Sequence, residues 1–224
     1  VITICHLTYY PAGVMPVREH LENGAKLNPH GHGFAIGNGI IGRSMNPDEA
    51  IDRFLLVRER SLKHPAMFHS RNATGDSPVT FMNCQPFWGK GNLMVAHNGY
   101  LFPHEGEKSD SLIFTQEILP RYDLRKPQDR ALLEERMGPN KAVILKTGKR
   151  AGIILNRHLG IMDGKTWHSN ADYLGIPHII PGICPACHAE TDLTPVCARC
   201  EEKAQGRRLL LEDKHVTTIA EAMK

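Results

Sequence analysis

A chain of 224 residues holds one substantial domain and an appendage. With 41% hydrophobic and 23% charged residues and a formal charge of +3, it has a globular composition and too little basicity to make nucleic acid the primary partner. No apolar run approaches the ~20 residues needed to span a bilayer, and residues 1–4 lack the basic and long apolar stretches of a signal peptide, so a cytoplasmic protein is expected.

Residues 2–10 are rich in β-branched and aromatic side chains and stop at Pro11-Ala12-Gly13, as a strand entering a turn would. Over residues 16–27, Val17, Leu21 and Leu27 with charges between them predict an amphipathic helix. Asn28-Pro29-His30-Gly31-His32-Gly33 breaks it, and Phe34-Ala35-Ile36 begins a strand. Asn46 is placed to cap the next helix, Pro47 suits its first turn, and Glu49 stands where a capping box puts its acid. Ile51, Phe54, Leu55 and Arg58 continue at helical spacing.

Strand-like pieces follow at 66–70, 80–82 and 93–96. Ser109 can cap a helix carrying Leu112, Ile113, Gln116 and Ile118 and ending at Pro120, and residues 127–137 predict another. Ala142-Val143-Ile144-Leu145 and Gly152-Ile153-Ile154-Leu155, on either side of Thr147-Gly148-Lys149-Arg150, read as a hairpin. Strands, then helices, then hairpins fit a layered α+β domain over residues 1–180 better than a parallel βαβ one.

Of six cysteines, Cys184, Cys187, Cys197 and Cys200 form two CxxC knuckles enclosing a short loop. Two such knuckles arrange four thiolates as a tetrahedron, which suits structural Zn²⁺ in a zinc knuckle over residues 181–202. Metal binding should supply much of the folding free energy of so small a unit. Residues 203–224 are charged and helix-prone, with Arg207-Arg208-Leu209-Leu210-Leu211, and read as a docking helix. Cys84 has no histidine close in sequence and reads as a buried structural thiol. The thirteen histidines include His30, His32, His64, His69 and His97, but carboxylates at ligand spacing are lacking, which argues against a histidine-based metal hydrolase.

Four motifs occur in order: Cys5 followed by Pro11-Ala12-Gly13; His69-Ser70-Arg71-Asn72-Ala73-Thr74-Gly75; Ala96-His97-Asn98-Gly99-Tyr100; and Ser109-Asp110-Ser111. In this order they resemble the class II glutamine amidotransferases, N-terminal-nucleophile hydrolases, and in particular short single-domain members found in phage genomes. The resemblance spans residues 5–175 and includes the interval from Cys5 to Pro11, Asn28, Pro29, Gly31 and Gly33 of the glycine-rich turn, and Asn83-Cys84-Gln85-Pro86-Phe87. It implies a four-layer αββα sandwich. It also implies Cys5 as nucleophile, Asn98 and Gly99 as the oxyanion hole, Arg71 and Thr74 on the substrate carboxylate, and Asp110 on its amine. Glutamine is then the substrate, and a separate enzyme accepts the ammonia.

The chemistry accounts for the residue types. A thioester splits a difficult amide hydrolysis into two easier steps. A free α-amine, with a pKa of about 7.7–8.0, suits a base working near neutral pH. Arg71 offers a planar fork for a carboxylate. Yet Cys5 follows Val1-Ile2-Thr3-Ile4, and an amide nitrogen cannot take the proton. Cleavage of the Ile4–Cys5 bond, with residues 1–4 as a propeptide, is therefore expected. His30, His32, Gln85 and Asp76 depart from the family pattern and bear on substrate shape. Two alternatives remain: an inactive relative serving as a zinc-bearing interaction or virion protein, and an amide hydrolase with another substrate, such as a peptide or modified nucleotide.

Overall fold

Strands form where apolar side chains alternate, and in this chain the alternation sorts them onto two sheets. The computed structural model describes residues 5–73, 78–102 and 106–175. Expectations for residues 1–4, Thr74, the cysteines Cys184, Cys187, Cys197 and Cys200, and the 203–224 helix fall outside them.

The first half runs β1 (His6–Tyr10), α1 (Arg18–Leu27), β2 (His32–Ile36), β3 (Ile40–Ser44), α2 (Pro47–Arg60) and β4 (Ala66–Ser70). Then come β5 (Phe87–Gly89), β6 (Leu93–Asn98), α3 (Asp110–Ile113), α4 (Pro127–Met137), β7 (Lys141–Lys146) and β8 (Ile153–Leu155). A small hairpin, β9 (Ile161–Asp163) and β10 (Thr166–His168), follows. One sheet has the order β3-β2-β4-β1-β10-β9 and the other β5-β6-β7-β8. Their described pairings are all antiparallel.

Three apolar layers separate these elements. Leu7 and Tyr9 of β1, Met67 of β4, Met94 and Ala96 of β6, and Val143 and Leu145 of β7 pack between the sheets. The opposite face of the larger sheet presents Tyr10, Phe34, Ile36 and Phe68 to Leu21 and Ala25 of α1 and Ile51 and Phe54 of α2. The outer face of the smaller sheet presents Val95, Ala142, Ile144 and Leu155 to Phe114, Leu133 and Met137. The succession is therefore helices, sheet, sheet, helices. Each fully buried Leu, Phe or Met in these layers contributes roughly 1.5–3 kcal/mol relative to exposure.

Local signals decide the helix ends. Asn46 Oδ1 accepts from the backbone N–H of Asp48 and Glu49 at 2.9 and 3.2 Å. Glu49 does not close a capping box. Its carboxylate takes the Ser44 hydroxyl at 2.5 Å, and that hydroxyl accepts the Asn46 N–H at 3.0 Å, so serine mediates the link. Residues 80–82, expected as a strand, lead instead into a 3₁₀ turn, Phe81–Asn83. The buried Asn83 amide explains the turn, since it accepts from Ser109 N–H at 2.8 Å and donates to the Glu107 carbonyl at 2.9 Å. The helix after Ser109 is α only through Ile113, widens to a π turn over Phe114–Ile118 and tightens at Leu119–Arg121.

Arg58 fastens the Pro11–Val14 turn to the end of α2. It is wholly buried and donates to the carbonyls of Val14, Pro11, Ser61 and His64. Replacing it with Met strands several of these acceptors. At about 1–3 kcal/mol per unsatisfied buried group, Arg58→Met is expected to lower unfolding free energy by at least about 3 kcal/mol, measured by urea denaturation.

Candidate active site

The two-residue period of the strands continues past the apolar layer and turns polar at one end. Leu7, Met67 and Ala96 face between the sheets. Two positions further along the same faces stand Cys5 before β1, His69 in β4 and Asn98 in β6. The side chain of Asn98 donates to the Cys5 carbonyl oxygen, and His69 Nε2 meets the His97 carbonyl at 3.2 Å. The Cys5, His69–Arg71 and His97–Gly99 motifs thus meet where the two sheets face one another.

Cys5 is 6% exposed, and its thiol lies 3.6 Å from the Asn72 carbonyl. Burial pushes this thiol up to about 12; the Arg71 charge opposes the shift, and those of Asp110 and Asp172 add to it. At neutral pH Cys5 therefore rests as the thiol and not the thiolate. Attack by this sulfur needs a base that removes the proton in the same step.

Arg71 follows β4 and is held by its backbone, its N–H donating to Gly31 at 2.8 Å and its carbonyl accepting from His30 at 2.9 Å. His30 also accepts the Ala73 N–H at 2.9 Å, so the glycine-rich turn is zipped along the Arg71 segment. The guanidinium donates to the Pro78 carbonyl at 2.8 Å. Burial lowers its pKa, and the charges of Cys5, Cys84 and Asp110 oppose that shift.

Asp110 opens α3, directly after Ser109, whose hydroxyl caps the Leu112 N–H at 3.3 Å. Its carboxylate accepts from Leu101 N–H at 2.9 Å and Ser111 N–H at 2.7 Å. Gln85 ties this helix to β6 by accepting the His97 N–H at 2.6 Å and donating to the Ser111 hydroxyl at 3.3 Å. That hydroxyl also meets His97 Nδ1 at 2.9 Å.

Gly99 has φ +136°, and a β-carbon there would collide with the Asn140 side chain. A left-handed backbone packed this closely leaves glycine as the residue that fits. Cys84 is buried against Gly31 and Met45, with Sγ 3.4 Å from the methionine sulfur, and its thiol is raised by burial. It is a packed thiol, as the sequence suggests.

Two residues that the sequence did not single out complete the Cys5 surroundings. Asn170 Nδ2 donates to the Cys5 carbonyl at 2.9 Å, and its Oδ1 accepts the Asp172 N–H at 3.2 Å. Ser169 Oγ accepts from Leu7 N–H at 2.9 Å and from Asn98 Nδ2 at 2.6 Å. Asp172 in turn takes Asn28 Nδ2 at 2.8 Å, which gives the Asn28-Pro29 segment a role in the same polar chain. The structure therefore brings Cys5, Arg71, Asn98 and Asp110 into one neighbourhood, with Gly99 beside Asn98, while Thr74 lies outside the described residues.

Among the described residues no helix is long and apolar enough to cross a membrane. No protein-family model matches the chain, and no curated protein does. Among solved structures, the chain is similar to the glutamine phosphoribosylpyrophosphate amidotransferase from B. subtilis complexed with ADP and GMP, at 17% identity and a TM-score of 0.44. The match covers 73% of this chain and 41% of that one, so the chain spans less than half the length of the protein it resembles.

Proposed function

We propose that the chain hydrolyses the side-chain amide of glutamine, on a four-layer fold of the N-terminal-nucleophile type. One observation carries the reading. A single cysteine heads a central strand, its carbonyl gripped by Asn98 and its thiol within reach of the charges of both Arg71 and Asp110. A cation and a carboxylate beside one nucleophile match the two charged ends of an α-amino acid.

In this reading Cys5 Sγ attacks the amide carbon while its proton passes to the Cys5 α-amine, freed when the preceding residue is cut away. The tetrahedral intermediate collapses by expelling ammonia, which takes up that proton, and leaves a thioester. Water then hydrolyses the thioester to glutamate and restores the thiol. Asn98 and the Gly99 N–H serve the oxyanion, each such donor typically contributing about 3–4 kcal/mol. Asn98 Nδ2 presently donates to Cys5 O and Ser169 Oγ, so one of these must release it to substrate. Asn170 can keep Cys5 O held while that happens.

Ammonia passes to a separate acceptor enzyme or to solvent. Thr74 adds a hydroxyl to the carboxylate site, and Cys184, Cys187, Cys197 and Cys200 hold a structural zinc, four thiolates being a closed zinc donor set. A second reading is favoured by the raised pKa of Cys5: a chain that keeps residues ahead of Cys5 has no α-amine to take the thiol proton and serves as an interaction protein.

The deciding experiment incubates protein beginning at Cys5 with glutamine and with 6-diazo-5-oxo-norleucine. Ammonia release and an adduct on the Cys5 peptide are expected; an adduct on Cys84, or none, rejects the assignment. Arg71→Lys keeps the charge and loses the fork. Hydrogen bonds to charged groups contribute about 1.5–3 kcal/mol, so KM for glutamine should rise roughly 10- to 100-fold with a smaller change in kcat.

A further inference from the structure

The face of the larger sheet turned toward α1 carries histidines that the proposed hydrolysis does not use. His6 and Thr8 of β1 and His168 of β10 lie side by side there, in the register Thr8↔His168. His168 Nδ1 sits 3.3 Å from both Thr8 Oγ1 and His6 Nε2. Its ring is stacked on Tyr173 at 3.8 Å, parallel to within 14°, and the residue is wholly buried. The other ring nitrogen, Nε2, is buried and has no hydrogen-bond partner.

Two further groups lie close to His168. His20 projects from α1, its ring centroid 5.8 Å from that of His168 with the planes at 74°. Asp163 ends β9, and its carboxylate lies 3.8 Å from His20 Nδ1. Among the described residues, one ligand atom from each of His20, Asp163 and His168 lies within 4.8 Å of the other two.

We infer that His20, Asp163 and His168 form a binding site for one divalent ion of the zinc class, clamping the β9–β10 hairpin onto α1. Two imidazoles and a carboxylate suit Zn²⁺, Co²⁺ or Ni²⁺, whereas Mg²⁺ and Ca²⁺ prefer all-oxygen sets. Tetrahedral zinc with bonds of about 2.0–2.1 Å holds its donors about 3.3 Å apart. The trio must therefore close by an ångström or so. His20 and Asp163 side chains, 23% and 49% exposed, have room to do this around a fixed His168. Nδ1 held by Thr8 and His6 is the outer hydrogen bonding that orients a ligand imidazole and leaves the Nε2 lone pair for metal.

Three protein donors leave a fourth position for water. The next residues along the chain, Ser169 and Asn170, hold Asn98 and the Cys5 carbonyl, so the ion would brace the strand end that carries them.

The test is equilibrium dialysis of the full chain against micromolar Co²⁺, followed by metal analysis and absorption spectroscopy. Wild type should bind one ion more than either His20→Ala or Asp163→Asn. The thiolate-to-cobalt charge-transfer band of any cysteine-bound ion should be equal in all three. Equal cobalt content in wild type and both variants overturns the site. So does a lost ion that takes the thiolate band with it, since that ion belonged to cysteines. Both substituted side chains are partly exposed, and Asp163→Asn keeps the shape, so a folded variant is in hand. The outcome is independent of glutamine hydrolysis.

Discussion

Protein whose first residue is Cys5 should hydrolyse glutamine about 10²–10⁴ times faster than protein retaining residues 1–4, the span a placed general base contributes. The reason lies in the thiol. Burial holds it near 12, and Arg71 only partly counters that. The described surroundings of Cys5 supply carbonyls, amides and charges rather than a basic nitrogen. The imidazole of His69, opposite Leu7 in the sheet, has its Nε2 engaged by the His97 carbonyl, and burial lowers it to about 3. The proposed hydrolysis therefore takes the Cys5 α-amine as its base, with an unperturbed pKa of about 7.7–8.0.

With that amine as base, kcat/KM should climb through its pKa and level off above it. Steady-state ammonia release across pH 6–9, with intact mass verified before each assay, measures both effects. Equal rates for the two chains would remove the amine from the mechanism. Cys5→Ala in the shorter chain should leave no turnover above the blank.

Mild acid should unfold this domain well before most carboxylates are protonated. His32, His69 and His97 are buried, and burial lowers them to about 4, 3 and 4 respectively. Around His69 stand His97, Arg71 and His32, all of which lower it further, while its bond to the His97 carbonyl raises it. His97 faces Asp110, which raises it, and Lys141, which lowers it.

Unfolded, each histidine titrates near 6.5, so below that pH the unfolded chain binds more protons than the folded one. Stability is therefore present above pH 6.5 and lost as pH falls toward the folded values. Three such groups remove up to about 4 kcal/mol per pH unit. For a total stability of about 5–10 kcal/mol, the unfolding midpoint should fall between about pH 4 and 5.5. Fluorescence of the buried Trp167, read with far-UV circular dichroism, follows the transition. Stability that stays level from pH 7 to 4.5 would show that these imidazoles are not neutral in the folded state.

What the sequence disclosed, and what it hid, follows from range. Asn46-Pro47 and Ser109 act within three residues of themselves, and both caps form as read. The 142–145 and 152–155 segments are apolar enough to define a hairpin unaided, and they form β7 and β8. Strand β9 is exposed along its whole length, so no alternation marks it, and only the Asp163-Gly164 turn could have suggested it. Asn83 carried no visible sign that its buried amide would curl residues 81–83 into a turn.

At the candidate site, Cys5, Arg71, Asn98 and Asp110 were legible because each sits in a short motif and the motifs keep their order. Asn170 was not. It is an isolated polar residue whose partner lies 165 positions away, and its meaning comes only from β10 pairing with β1. His168 is hidden in the same way, since nothing local marks it as a neighbour of His20.

Strand β1 is an interior strand of the larger sheet. It runs between β4 and β10, laddered on both sides, and the carbonyl of Cys5 is clasped by two asparagines. Chain ends ordinarily fray. Here, severing the bond ahead of Cys5 would create an end already moored from its first carbonyl onward. The newborn amine would inherit a fixed address without any refolding, and the entropy of tethering a loose terminus would have been met when the sheet assembled.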